Sequence, residues 1–326
     1  MKTVGQITAG LIPQKRYITS FQGIQASIAS KQTSTITIPA LYNYLDLWIQ
    51  AVNLTISMVQ EVRLKIGGTV IQKWAGADLD AMNQYDKVQA FGTVGPSGFN
   101  ILQIPLRRLG IRGGSTLLNA QGGVLASGSA RDLAYETSLN CKVGGGSFKA
   151  IKKVTLEIDL VNTSNPAPAM QLYARVTDPV EGGPGLVQRC DKQTKNVANG
   201  EITWSKEDLG LDALRPYLNR LIFVPVPGGT LDNYQFRYNT NDWWTISEDL
   251  RLFGANEDAL RIQQAGYYVL DFQEEGWGDS QLDMSDPNSD ILVQFEGTNT
   301  AGNMICYVVT SGLPFSPLPA TGNSGN

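Results

Sequence analysis

Histidine is absent from all 326 residues. That removes the side chain most used as a general base or metal ligand near neutral pH, and it excludes serine and cysteine triads built on an imidazole. Charge is also scarce. Asp, Glu, Lys and Arg make up 17% of the chain, against about 25% in an average protein. The formal net charge is −4, and no stretch gathers the Lys and Arg that phosphate backbones require. Direct nucleic-acid binding is therefore not expected and falls to a partner. Cysteine is limited to Cys141, Cys190 and Cys306. They are far apart, with no C-x-x-C spacing, so they indicate neither a zinc site nor a disulfide framework. They read as free thiols of a reducing cytoplasm. Long apolar runs are missing too. Nothing approaches the ~20 residues that cross a bilayer as a helix, and residues 1–13, with a single lysine, do not have the form of a signal peptide.

What is present is period-two alternation. Val154, Leu156, Ile158 and Leu160 alternate with Thr155, Glu157 and Asp159; Met170, Leu172, Ala174 and Val176 alternate with Gln171, Tyr173, Arg175 and Thr177; Val62, Leu64 and Ile66 alternate with Glu61, Arg63 and Lys65. Such segments predict strands with one buried and one wetter face. Leu45 to Met58 reads as one long or bent strand. Two segments read as helices. Asp78 is placed to cap Leu79 to Val88, with Leu79, Met82 and Tyr85 on one stripe. Ser247 is placed to cap a second, running to Gln264, with Glu248 and Asp249 in its first turn and a break or kink at Gly254.

The order of elements repeats. Strands 62–66 and 70–74, a helix, then strands 99–106, 154–161 and 170–177 are followed by strands 221–226 and 234–238, a helix, then strands 267–272, 291–296 and 304–310. A repeat of architecture with little residue identity implies an all-β chain of two tandem sandwiches or jelly-roll barrels, with short helices in the loops. The 326 residues suit two domains at ~150 residues each. The expected units are 1–180 and 181–326, joined near the Pro/Gly stretch Asp178 to Gly185. The first half carries a Gly- and Ser-rich insertion, 107–147, with a short strand expected within Ala134 to Val143. A loop of that length is usually functional or mobile.

Candidate chemistry is thin. Gly95-Pro96-Ser97-Gly98 and Gly113-Gly114-Ser115 match neither a nucleophile elbow nor a phosphate loop and read as turns. Asp279, Asp283, Asp286 and Asp290 form an acidic loop, 279–290, without EF-hand spacing, and Asp286-Pro287-Asn288 reads as a turn. Trp243, Trp244 and Trp277 suit a sugar-stacking platform, or core and subunit-interface anchors, and the latter is preferred. Lys15-Arg16 and Arg107-Arg108 are small basic clusters, solvated or touching anionic headgroups or a minor protein. No catalytic, cofactor or metal residue is assigned, and no enzyme activity is expected.

The stretches TSTITIPALYNYLDLWIQ (33–50), VQEVRLKIGGTVIQKWAGADLDAMNQYD (59–86) and LQIPLRRLG (102–110), with VTLEIDLVN and APAMQLYARVTD within 154–178, resemble the first barrel of double jelly-roll major capsid proteins. These belong to tailless, membrane-containing icosahedral bacteriophages of the adenovirus-, tectivirus- and corticovirus-like lineage. AGYYVLDFQEEG (265–276), SDILVQFEGT (289–298) and AGNMICYVVTSG (301–312) resemble the closing strands of the second barrel. The resemblance implies a homotrimeric, pseudo-hexagonal capsomer that tiles a virion shell over an internal membrane. Its partners would be neighbouring capsomers, minor capsid, penton and membrane proteins, and lipid headgroups. The chain would reside in the virion, and in host cytoplasm before assembly. Loop 107–147 would form a surface tower or an intersubunit loop; the tail 317–326 is expected to be disordered unless a neighbouring subunit holds it. The competing readings are a two-domain carbohydrate-binding spike or adhesin module and a β-sandwich glycoside hydrolase with paired carboxylates.

Overall fold

The computed structural model describes residues 13–94, 98–107, 116–118, 124–127, 138–141, 153–178, 186–212, 215, 217–250, 252, 261–273 and 281–312. In chain order the strands of the first half are β1 (Gln14–Ser20), β2 (Gln32–Ile38), β3 (Asn43–Val52), β4 (Val59–Ile66) and β5 (Thr69–Trp74); after helix α1 (Gly76–Tyr85) come β6 (Thr93–Val94), β7 (Phe99–Pro105), β8 (Thr116–Leu118), β9 (Val124–Ser127), β10 (Leu139–Asn140), β11 (Val154–Leu160) and β12 (Ala169–Thr177). The second half has β13 (Val187–Val197), β14 (Gly200–Ser205), β15 (Tyr217–Val224), β16 (Thr230–Tyr238), β17 (Asn241–Ile246), β18 (Tyr268–Asp271), β19 (Leu282–Asp283), β20 (Ile291–Thr298) and β21 (Gly302–Gly312).

Two sandwiches result. In the first, the sheet β1-β12-β3-β7-β6 faces β2-β11-β4-β5; in the second, β13-β21-β15-β18 faces β14-β20-β16-β17. The chain alternates between facing sheets in the same order in both halves, which is the jelly-roll path. The two sandwiches join edge to edge, because β5 pairs with β13 in parallel at Gln72 and Cys190.

The eight main strands correspond one to one, and a matched irregularity fixes the register. On β3, Leu45 is bulged out between Arg175↔Asp46 and Val176↔Tyr44. On β15, Asn219 is bulged out between Val309↔Arg220 and Thr310↔Leu218. Each bulged residue's carbonyl accepts a backbone N–H just past the neighbouring strand: Leu45 from Leu106 at 3.1 Å, Asn219 from Phe272 at 3.1 Å. Asp46 is thus the counterpart of Arg220, Trp48 of Ile222 and Tyr173 of Tyr307.

This corrects the sequence repeat by one strand. The pair before the second helix is β16 and β17, not 221–226 and 234–238. The segment 241–246 (NDWWTI) lacks clean alternation and hid a strand, and β15 corresponds to β3. The expected long strand Leu45–Met58 stops at Val52. Asn53 turns with φ of 55°, and a 3-10 turn at Ile56–Met58 follows.

Inward residues form two cores. The first is aliphatic, with Leu47, Ile49, Leu64, Ile66, Leu156, Ile158 and Leu172 buried. The second is aromatic: Phe223 meets Trp204 edge-on at 5.7 Å and Phe295 at 4.8 Å. Each such side chain contributes roughly 1.5–3 kcal/mol on burial. The expected wetter face of β11 is also covered, since Asp159 is 0% exposed. Arg63 reaches Asp159 Oδ2 at 2.6 Å and Oδ1 at 2.9 Å and Glu157 at 3.0 Å, and Lys31 reaches Asp159 at 2.5 Å. Burial alone would push the Asp159 carboxyl up. Its bonds to Arg63, Lys31 and Thr33 outweigh that and hold it well below the usual carboxylate range.

Candidate assembly surfaces

The best-built polar site among the described residues lies where the two barrels meet. Helix α1 is seated on the outer face of the second barrel's β13-β21-β15-β18 sheet. Gly76 lets the start of α1 lie tight against β4 of its own barrel, because a Cβ there would stand 2.4 Å from the Val59 carbonyl oxygen. Trp74 stacks on Tyr307 with centroids 4.9 Å apart. The Ala75 N–H donates to the Tyr307 hydroxyl at 3.2 Å, which in turn donates to Asp78, and the Tyr267 hydroxyl donates to Asp78 at 2.7 Å. Asp78 is therefore not the helix cap. It sits inside the first turn and makes no side-chain capping bond, since the capping position is Ala75. The stripe of Leu79, Met82 and Tyr85 is buried as expected.

At the other end of α1, Arg220 donates to Asp86 through both terminal nitrogens, at 3.1 and 2.9 Å, and to Asp271 at 2.8 Å. Arg261 donates to Asp271 at 2.9 Å and lies 3.3 Å from Asp86. Both guanidinium groups lie over the Tyr85 ring, at 4.9 and 5.8 Å. Burial opposes charge on Arg220, Arg261 and Asp271. The two arginines nonetheless hold the Asp271 carboxyl below its ordinary value, and Asp271 and Asp86 hold Arg220 above its own. The Ile262 N–H donates to the Tyr85 carbonyl at 2.9 Å. These contacts keep 261–264 out of the second helix, which was expected to reach Gln264. That helix is described at Glu248–Leu250 and Leu252. The Leu250 N–H donates to the Ser247 hydroxyl at 3.4 Å, the capping contact the sequence predicts. Gly254 lies outside the described residues.

The second surface is the outer face of the first barrel's β1-β12-β3-β7 sheet. Tyr17, Tyr173, Trp48 and Gln103 stand in one cross-strand row. Tyr17 and Tyr173 meet edge-on at 5.5 Å. Lys15 and Arg175 lie over Trp48 at 5.7 and 5.1 Å, and Trp48 Nε1 donates to Gln103 at 3.1 Å. Arg107 and Arg175 reach Asp46 at 3.0 and 3.5 Å. Burial pushes the Asp46 carboxyl up, against the pull of both arginines. A recess of about 280 Å³ opens beside Lys15, Trp48, Ile101 and Gln103. Sequence reasoning did not single out this row. The signal was a Trp and a Tyr in the outward phase of strands whose inward phase was already apolar.

The other sequence candidates separate. Asp283, Asp286 and Asp290 accept backbone N–H groups of Ser285, Asn288 and Ile291 at 2.8, 2.8 and 2.9 Å. Each carboxylate closes its own turn, and Asp279 lies outside the described residues. Gly98 sits in a turn with φ of 67°; Gly95, Pro96, Ser97, Gly113, Gly114 and Ser115 lie outside, as do Trp277, Arg108 and the tail 317–326. Trp243 and Trp244 belong to β17. Arg16 bonds Gln14 and lies over Tyr42. Cys141, Cys190 and Cys306 are free and buried. Of the insertion 107–147, a β8–β9 hairpin and β10, paired with β3, are described. The strand expected within Ala134 to Val143 is described only at Leu139–Asn140.

Two jelly rolls fused edge to edge in one chain define the double jelly-roll class. The model of the viral coat protein P2 N-terminal domain matches residues 15–177, half of the chain. The chain belongs to that family: it is a viral coat protein, and the expectation of a major capsid protein rests on this membership. Among solved structures it is similar to the major capsid protein P2 of bacteriophage PM2, at 14% identity and a TM-score of 0.71, covering 94% of this chain and 99% of that one. It is also similar to the STIV major capsid protein, at 14% identity and a TM-score of 0.58 over 93% and 98% of the two chains. A third likeness is to the PBCV-1 virus capsid, at 10% identity and a TM-score of 0.53 over 92% and 94%. No curated protein matches the chain by sequence.

Proposed function

We propose that this capsid protein builds its shell from homotrimers, each presenting six barrels in a near-hexagonal outline over an internal membrane. The observation that carries the reading is the matched pair of eight-stranded sandwiches, joined edge to edge through Gln72 and Cys190. Two equivalent blocks per chain, repeated three times about an axis, give six positions of nearly equal shape. The blocks are taken as 1–180 and 181–326, with loop 107–147 as a tower or intersubunit loop. Its role is structural, without catalysis. Neighbouring capsomers, minor capsid and penton proteins, membrane proteins and lipid headgroups are its partners, and host cytoplasm is its location before assembly.

Light scattering on the purified chain tests the trimer. The expected mass is about three times 35.4 kDa. A monomer that binds glycans would replace this reading with the spike or adhesin one.

A further inference from the structure

One pair of matching sheets differs in how its outward side chains are satisfied. In the first barrel, Glu157, Arg63 and Lys73 stand in one outward row across β11, β4 and β5. That row satisfies itself: Arg63 donates to Glu157 at 3.0 Å, Lys65 donates to Glu157 at 2.6 Å, and Lys73 lies 3.5 Å from Glu61. In the second barrel the corresponding strands β20, β16 and β17 carry Gln294, Gln235 and Thr245 in one row. Gln294 and Gln235 are half-buried. Among the described residues, the side chains of these three make no hydrogen bond.

The row lines a recess of about 430 Å³ on the outer face of the β14-β20-β16-β17 sheet, within the range of about 300–1,000 Å³ that small ligands fill. At one end Glu201 and Glu296 stand directly opposite each other on β14 and β20. Asn233, at a bulge in β16 with φ of 50°, donates to one Glu296 oxygen at 2.7 Å. The lining excludes several ligand classes. Among the described residues no Lys or Arg lines the recess, and two carboxylates disfavour an anion. Two carboxylates without a third Asp, Glu or Cys beside them among the described residues are too few to hold a metal ion. A protein partner would need aromatic or aliphatic anchors, and the outward side chains here are polar.

What fits is a neutral ligand dense in groups that both donate and accept. Each glutamine offers two donors and a carbonyl acceptor, Thr245 offers a hydroxyl, and the glutamates offer acceptors. Sugar hydroxyls match that set, since neighbouring hydroxyls on a ring can meet one amide or carboxylate in two parallel bonds. We infer that this recess binds a short neutral saccharide. Gln235, Gln294 and Thr245 hydrogen-bond its hydroxyls, and Glu201 and Glu296 accept from them. This activity adds to shell building and does not depend on the trimer.

Saturation-transfer NMR on the full-length chain tests this, with maltose, cellobiose, lactose and chitobiose as probes at about 10 mM each. At least one should give a transfer signal. Gln235→Ala and Gln294→Ala should each weaken its binding about tenfold through lost hydrogen bonds, with the thermal melt unchanged. Lys73→Gln, on the matching row of the first barrel, should bind as the wild type does. No signal from any probe, or a signal that survives both alanine variants, overturns the inference. Alanine variants that alter only the mass in solution overturn it in favour of a contact between copies. Mass is read separately by light scattering, so a monomer that binds a sugar overturns the trimer and leaves this site standing.

Discussion

Arg220 of the second barrel grips Asp86 of the first through two parallel hydrogen bonds of 3.1 and 2.9 Å. The pair is buried and shared with Asp271 and Arg261, so its members satisfy one another rather than water. Removing one partner from such a group strands the opposite charge, at a cost of about 3–5 kcal/mol. Arg220→Ala is therefore expected to lower stability by about that amount in urea unfolding. A change under about 1 kcal/mol would show that the junction contributes little to the fold.

Tyr307 joins the barrels at the other end of α1. Tyr307→Phe keeps the stack on Trp74 but removes the donor to Asp78 and the acceptor for Ala75. Tyr267 remains as the second donor to Asp78. A loss of about 1–3 kcal/mol is expected from the groups left unpaired, again read from urea midpoints.

Gly76 admits no side chain. Gly76→Ala places a methyl group 2.4 Å from the Val59 carbonyl and 2.7 Å from Val59 Cβ. Backbone carbonyls do not move aside as side-chain tips do. The variant should lose about 1–3 kcal/mol, seen as a lower melting temperature, although alanine is the better helix former.

Acid should weaken the protein through Asp159 and Asp271. Both carboxyls titrate below their unfolded value of about 3.9. Their stabilisation is complete above that value and is lost as pH falls through the folded-state pKa. Unfolding free energy should hold steady from neutral pH to about 5 and decline below about 4. Asp159→Asn should flatten the decline. An unchanged acid limb in that variant would contradict the assignment.

The thiols should be inert in the native state. Burial pushes Cys141 up to about 12, and it also holds Cys190 and Cys306 well above the ordinary thiol value. Reaction with a thiol-specific reagent at pH 8 should wait for unfolding.

Much of the fold was readable in the sequence because β4, β11, β12 and β20 alternate, with mostly polar residues in the outward phase. The failures have physical causes. β17 has Trp243 and Trp244 adjacent in its sequence, so no alternation marks it. β13 runs through Arg189, Asp191 and Lys192 where it meets the first barrel, and its pattern reads as loop. The assembly surfaces were less legible still. Asp78 looked like a helix cap because its partners, Tyr267 and Tyr307, lie 189 and 229 residues away. The equivalence of Asp46 with Arg220 depends on two bulges that leave no mark on local composition.

Electron cryo-microscopy of the assembled particle tests the central claim most directly. The account predicts capsomers of three chains, with six barrels in a near-hexagonal ring standing roughly perpendicular to the shell. Capsomers built from any other number of copies, or this chain confined to spikes at the vertices, would contradict it.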